Sequence, residues 1–222
     1  MREPRRFDAV LFDLDGVLVD SEPWWNEVRI AFAGAHGRTW TDDDHHAVMG
    51  ANSRGWAITM RDRLQLDGMD LDAIQDAVVT GVVERYRTEP PPVIPGATAA
   101  VRRIAAQVPV AIASSAHPDV IAAAIDALGL RDVLGAIVSS DDVPHGKPAP
   151  DVYLAAAAQL GVEPARCLVV EDSVNGVRAG KAAGMFVVLV PNESVPPRPG
   201  TAALADLVID RLADLDPQRV PA

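Results

Sequence analysis

The run FDAVLFDLDGVLVDSEPWW at residues 7–25 constrains this chain more than any other stretch. Ala9–Phe12 is a short apolar run. It stops at Asp13 and Asp15, two carboxylates one residue apart, with Gly16 directly behind them. Carboxylates at the end of a buried strand are costly unless a metal, a partner or water meets them. Alternate residues of a strand point to one side. Asp13 and Asp15 are therefore expected to share a face just past the carboxyl end of a strand over 9–14, the edge at which ligands bind in open α/β sheets. On these residues alone, a strand leading into an ordinary Asp/Gly turn is the alternative.

The rest of the chain divides into two parts. In the first, Ser21 reads as a helix N-cap and Pro23 as a first-turn residue, with Trp24/Trp25, Val28 and Phe32 at helical spacing. Thr41–Asp44, Ser53 and Asp70 open three more helices, the last with Ile74, Val78, Val82 and Tyr86 at steps of four. All four tryptophans, Trp24, Trp25, Trp40 and Trp56, lie in this segment, and Glu89–Pro95, with four prolines, closes it. From Pro95 on, helices alternate with the apolar runs Val108–Ala113, Ala136–Val138, Cys167–Val170, Phe186–Val190 and Leu207–Ile209. That alternation implies a parallel sheet with right-handed crossovers. The expected architecture is a doubly wound, Rossmann-like α/β core, residues 1–20 and 94–222. A helical-bundle cap, residues 21–93, interrupts it after the first strand.

A chain of 222 residues accommodates a core with such an insertion. Its net charge of -11 argues against nucleic acid and anionic membrane surfaces as partners. No segment approaches the ~20 apolar residues of a membrane span. The basic opening MREPRR is followed by a short apolar run ending in acids, which is not a signal peptide. A cytoplasmic monomer is the expectation. Cys167, the one cysteine, sits in an apolar run and reads as a buried hydrophobe. Of 20 basic residues only Lys147 and Lys181 are lysines, so a lysine kept here suggests a need for a compact point charge.

Four strand ends or the loops behind them carry polar residues: Asp13/Asp15, Ser114, Lys147 and Glu171/Asp172. Singly, Asp172 reads equally well as an N-cap, Ser114 as a turn residue and Lys147 as a solvated side chain. Together they supply what phosphoryl transfer needs. Carboxylates without His or Cys suit a hard, oxygen-liganded ion such as Mg²⁺. A carboxylate can attack phosphorus, and a hydroxyl and an ammonium can hold the phosphoryl oxygens.

The segments DLDGVLVDSEP, ASS, GKPAPD and VVEDSVNG, in this order and at these intervals, resemble the four motifs of the haloacid dehalogenase superfamily of phosphohydrolases. The likeness covers the whole chain and is greatest to members with a small helical cap, which include β-phosphoglucomutase and sugar-phosphate phosphatases. It implies that Asp13 is the nucleophile and forms an aspartyl phosphate, and that Asp15 protonates the leaving alcohol and then activates water. It implies that Ser114 and Lys147 bind the phosphoryl group, and that Asp172 and Glu171 hold Mg²⁺ with Asp13 and the Asp15 carbonyl. Glu22, Trp25, Ser115 and His117 are expected on the substrate side. Arg54 of GANSR is expected to reach the substrate from the cap.

The resemblance also has departures. The mutases carry His where this chain has Trp25, and Lys-Asn where it has His117–Pro118; both shift the reading to hydrolysis. DSEPWW instead looks like the hexose-phosphate phosphatases. His45 and His46, in an acidic helix start, read as solvated, and His145 as lining the entrance. The expected substrate is a small phosphorylated metabolite of the sugar-phosphate class. A phosphomutase is the alternative, and a phospho-acceptor module without turnover the remote one.

Overall fold

The computed structural model describes residues 5–220. Residues 1–4 of the basic opening, expected not to form a leader, lie outside them. The strands are β1 (Ala9–Phe12), β2 (Val110–Ser114), β3 (Ala136–Ser139), β4 (Cys167–Glu171), β5 (Phe186–Leu189) and β6 (Leu207–Val208). They form one sheet of order β3-β2-β1-β4-β5-β6, parallel throughout. Register pairs Val10 with Val110 on one side and with Leu168 on the other, so β1 is central. The chain runs outward on the β2 side and then returns to β4 on the other. The strand order therefore reverses at β1, where open α/β sheets bind ligands.

The helical insert comprises α1 (Glu22–Ala35), α2 (Asp42–Val48), α3 (Ser53–Arg63) and α4 (Leu71–Thr88). The later helices are α5 (Ala97–Ala105), α6 (Pro118–Leu128), α7 (Asp151–Leu160) and α8 (Val174–Ala182). Strand alternation sorts the core into two layers. Val10 and Phe12 face α5 and α6 in an apolar cluster continuous with Trp25, Trp56, Met60 and Val78 of the insert. Ala9 and Leu11 face the other way, against Val152, Tyr153 and Ala156 of α7 and Val177 of α8. Cys167 is buried in this second layer, as expected, and burial pushes its thiol up to about 11.

The strands start or stop short of their apolar runs for local reasons. β2 begins at Val110 because Pro109 has no N–H for a ladder. β1 ends at Phe12 because the chain then turns: Leu18 N donates to Leu14 O at 2.8 Å, and Gly16 N to Val19 O at 2.8 Å. The two connections to the insert run side by side, with Asp20 N bonded to Pro92 O and Ile94 N to Leu18 O. Among the described residues no helix is long and apolar enough to cross a membrane.

Candidate active site

Asp13 directly follows β1, and its N–H continues the ladder to Val170 O at 3.0 Å. Leu14 turns inward and is fully buried, while Asp13 and Asp15 both line a cavity of about 550 Å³ at the carboxyl edge of the sheet. The shared face expected of Asp13 and Asp15 thus arises from the turn rather than from strand pleating. Gly16 makes that turn at φ +82°, and a Cβ on it would run into the Asp172 carboxylate. This glycine lets the loop after β1 pack against the loop after β4. Ser21 corrects a prediction: it does not cap α1, and its hydroxyl donates to Asp15 Oδ1.

Lys147 comes from the loop before α7, with its side chain 3% exposed. Its ammonium donates to Glu171 Oε1 at 2.7 Å and lies 3.0 Å from Asp13 Oδ1, angled so that Oδ1 has no hydrogen-bond partner. Tyr153 of α7, unremarked in the sequence, is buried beneath them. Its hydroxyl donates to Glu171 Oε1 at 2.8 Å, and its ring lies 4.9 Å from the Lys147 ammonium. Glu171 Oε2 accepts from Asp172 N, Ser173 N and Ser173 Oγ, each at 3.0 Å. Both of its oxygens are thus engaged by the protein. Ser173, not Asp172, caps α8, by accepting from Gly176 N. Ser114 ends β2, its Oγ accepting from Ala116 N at 3.1 Å, and Ser139 Oγ donates to Ala116 O at 2.6 Å and so fixes that loop. The second lysine, Lys181, pairs with Asp206 at the surface.

Burial raises the Asp13 carboxyl to about 8, helped by the nearby Glu171 and Asp15 charges and opposed by Lys147. Burial likewise raises Asp15 to about 6, with Glu22 adding and the Ser21 hydrogen bond opposing. Asp172 is pushed well up by burial and by Glu171 and Asp13. Glu171, although desolvated, is held low by Lys147 and its hydrogen bonds. The ammonium of Lys147 is stabilised by Asp13 and Glu171 beyond what its burial costs.

Asp13, Glu171 and Asp172 each offer an oxygen within 4.8 Å of the others, and the Lys147 ammonium pairs with only two of them, Asp13 and Glu171. That excess of negative charge, in an all-oxygen donor set, fits a hard divalent cation. With Glu171 already saturated, Asp13 and Asp172 are the carboxylates free to hold one.

The insert supplies the opposite wall. Glu22, Trp25, Arg29, His45 and Trp56 line the cavity, and Ser115 joins Ser114 on the sheet side. Trp25 is buried and meets Trp56 edge to face at 6.2 Å. His45 is not solvated as predicted, because α2 lies over the cavity. Its side chain is 14% exposed, with Nε2 3.5 Å from Glu22 Oε1. Arg54 is exposed on the first turn of α3 and outside the cavity, because Ser53 and Trp56 take the buried positions there. His117 is outside it too, its Nδ1 accepting from Asp119 N to cap α6. His145 is exposed and paired with Asp151 at 3.1 Å rather than lining the entrance.

Comparison with known proteins matches residues 7–184 to a family described as haloacid dehalogenase-like hydrolase. Hexitol phosphatase B of Escherichia coli (strain K12) is 32% identical over 221 residues, covering 97% of either chain. A fructose-1-phosphate phosphatase of the same organism is 32% identical over 82% of this chain and 96% of its own. Among solved structures, CbbY from Rhodobacter sphaeroides in complex with phosphate superposes with a TM-score of 0.81. It is 25% identical, covering 94% of this chain and 96% of that one.

Proposed function

We propose, from the premise that this chain belongs to the haloacid dehalogenase-like hydrolases, that it is a Mg²⁺-dependent phosphatase of small sugar or polyol phosphates working through an aspartyl phosphate on Asp13. The observation that carries this is the setting of Asp13. Its Oδ1 is buried without a hydrogen bond, 3.0 Å from the Lys147 ammonium, on the cavity that Asp15 shares.

In this reading an Asp13 oxygen attacks phosphorus while the ester C–O–P oxygen leaves and takes the Asp15 proton. Asp15, now a carboxylate, removes a proton from water as that water attacks the phosphoryl-aspartate, releasing phosphate and restoring Asp13. Burial raises Asp15 to about 6, so its protonated form dominates only below that pH and is a minority form at pH 7, and the Ser21 hydroxyl fixes its orientation. Ser114 and Lys147 hold the phosphoryl oxygens, with Glu171 and Tyr153 positioning the Lys147 ammonium. Asp13, Asp172 and the Asp15 carbonyl would hold Mg²⁺, which when bound supplies charge neutralisation between nucleophile and phosphate. Residues 21–93 act as the cap that selects the organic part of the substrate.

Two features favour hydrolysis over phosphomutation. Trp25 is an aromatic wall where mutases carry a histidine, and His117 is spent on capping α6. The hexitol and fructose-1-phosphate phosphatases among the relatives support the sugar-phosphate class. The test is phosphate release from a panel of hexitol and hexose phosphates, with Mg²⁺ and with chelator. Mg²⁺-dependent release that Asp13→Asn abolishes is expected. Isomerised phosphosugar without free phosphate would replace this reading with a mutase, and labelling without turnover would remove both.

A further inference from the structure

Arg29 stands on the insert side of the cavity and takes no part in the phosphoryl chemistry above. It is 4% exposed, among the few charged side chains buried in the fold. Burying a guanidinium is costly unless its donors are met, and here two of its three nitrogens, Nε and Nη1, are not. Arg29 Nη1 lies 3.6 Å from Glu22 Oε1, an ion pair too long for a hydrogen bond. Neither Arg29 Nε nor Nη1 has a hydrogen-bond partner. The indole rings of Trp25 and Trp56, 5.1 and 5.9 Å from the guanidinium carbon, hold the group in place.

Its neighbours are in the same condition. Glu22 Oε1 and His45 Nδ1 are buried and without hydrogen bonds. Three side chains of α1 and α2 thus bring unmatched donors and an unmatched acceptor to one wall of the cavity that holds Asp13 and Asp15. For stability alone, apolar residues of similar size would serve as well or better.

We propose that Arg29, with Glu22 and His45, is the specificity-determining cluster of the cavity and reads hydroxyl groups on the carbon chain of the substrate, away from the phosphate. The ligand class follows from charge and from donor count. Arg29 can only donate, and an ionised Glu22 can only accept. A hydroxyl satisfies both, accepting from the guanidinium and donating to the carboxylate. A second phosphate or carboxylate would satisfy Arg29 while meeting Glu22 with like charge. His45, pushed down to about 4 chiefly by burial and then by Arg29, is neutral near pH 7 and adds a polar ring without a further charge. Trp25 and Trp56 also line the cavity and add apolar wall for the C–H side of a polyol. This assignment rests on the sugar-phosphate reading above and gives Arg29 a role of the kind that the family resemblance implied for Arg54.

The test compares kcat/KM for a hexitol 6-phosphate, for n-hexyl phosphate, which has the chain without its hydroxyls, and for p-nitrophenyl phosphate. The full chain is assayed with Mg²⁺. In Arg29→Met the preference for hexitol phosphate over n-hexyl phosphate should fall roughly 10- to 100-fold, the range for hydrogen bonds to charged groups. Arg29→Lys keeps the charge beside Glu22 but not the planar fork, and should also lose most of the preference. Thermal unfolding verifies that each variant is folded. Should neither fold, mono-deoxy hexitol phosphates with the unaltered protein replace them, and at least one should lose about 10-fold in kcat/KM. Equal losses on hexitol and hexyl phosphates in folded variants, or deoxy analogues all within about 3-fold of the parent, overturn the assignment. An unaltered protein that hydrolyses p-nitrophenyl phosphate but shows no preference for polyol or sugar phosphates overturns the sugar-phosphate reading itself. A clear preference that survives in the variants overturns only the role of Arg29.

Discussion

Gly16→Ala tests how the first and last motifs interlock. The substitution adds one methyl group in a loop whose backbone sits at φ +82°. Forcing alanine into that left-handed region costs about 1–2 kcal/mol. The new Cβ would lie 2.5 Å from Asp172 Cγ, and closer still to Oδ2, where ordinary contact begins at 3.4 Å. The carboxylate must therefore recede by roughly 1 Å, a misplacement able to cost ~10²-fold in rate at an active site. Stability and activity should separate. Urea unfolding should show the loss of about 1–2 kcal/mol that backbone strain predicts, while phosphatase kcat falls about 10²-fold and the Mg²⁺ concentration for half-activity rises. A Gly16→Ala protein with unaltered kcat and Mg²⁺ dependence would refute the reasoning, since Asp172 would not be needed where the glycine lets it sit.

Two further predictions concern buried charge. Lys147→Met removes the ammonium between Asp13 and Glu171 and should destabilise the fold by about 3–5 kcal/mol in urea unfolding, the cost of orphaning a buried charge; a loss below about 1 kcal/mol would show that the hydrogen bonds of Glu171 suffice without it. His45 titrates near 4 in the folded chain, below the ordinary histidine value of 6.5. Between those values the unfolded chain binds the extra proton, so stability should fall as pH drops from about 6.5 toward 4. In His45→Gln the slope of melting temperature against pH over that window should flatten, and an unchanged slope would exclude His45 as its source.

The sheet and its catalytic edge were legible because both obey short-range rules. Apolar runs alternating with helices gave the parallel order, and Asp13, Asp15, Ser114 and Asp172 stand just where those runs stop. Lys147 was marked by the scarcity of lysine. The residues missed are those whose role depends on packing between distant elements. Tyr153 lies in an alanine-rich helix, where a buried aromatic reads as core, and only its hydroxyl on Glu171 distinguishes it. Ser21 has the residue type of an N-cap, yet the tight turn after β1 brings Asp15 within its reach. Arg29 follows Asn26 and Glu27, so the local sequence suggests a solvated helix face. Its burial depends on Trp25, Trp56 and α2 closing over it. Arg54 lies exposed on α3 and outside the cavity lining, because the rotation of α3 about its axis is set by burial of Ser53, Trp56 and Ala57.

The stereochemical course at phosphorus tests the central claim most directly. A hexitol phosphate made chiral at phosphorus with oxygen isotopes would be hydrolysed by the Mg²⁺-loaded protein in isotopically labelled water. The configuration of the released phosphate would then be read by NMR. Two in-line displacements, first by Asp13 and then by water, predict net retention. Net inversion would mean that water attacks the substrate directly, and would contradict Asp13 as a covalent nucleophile.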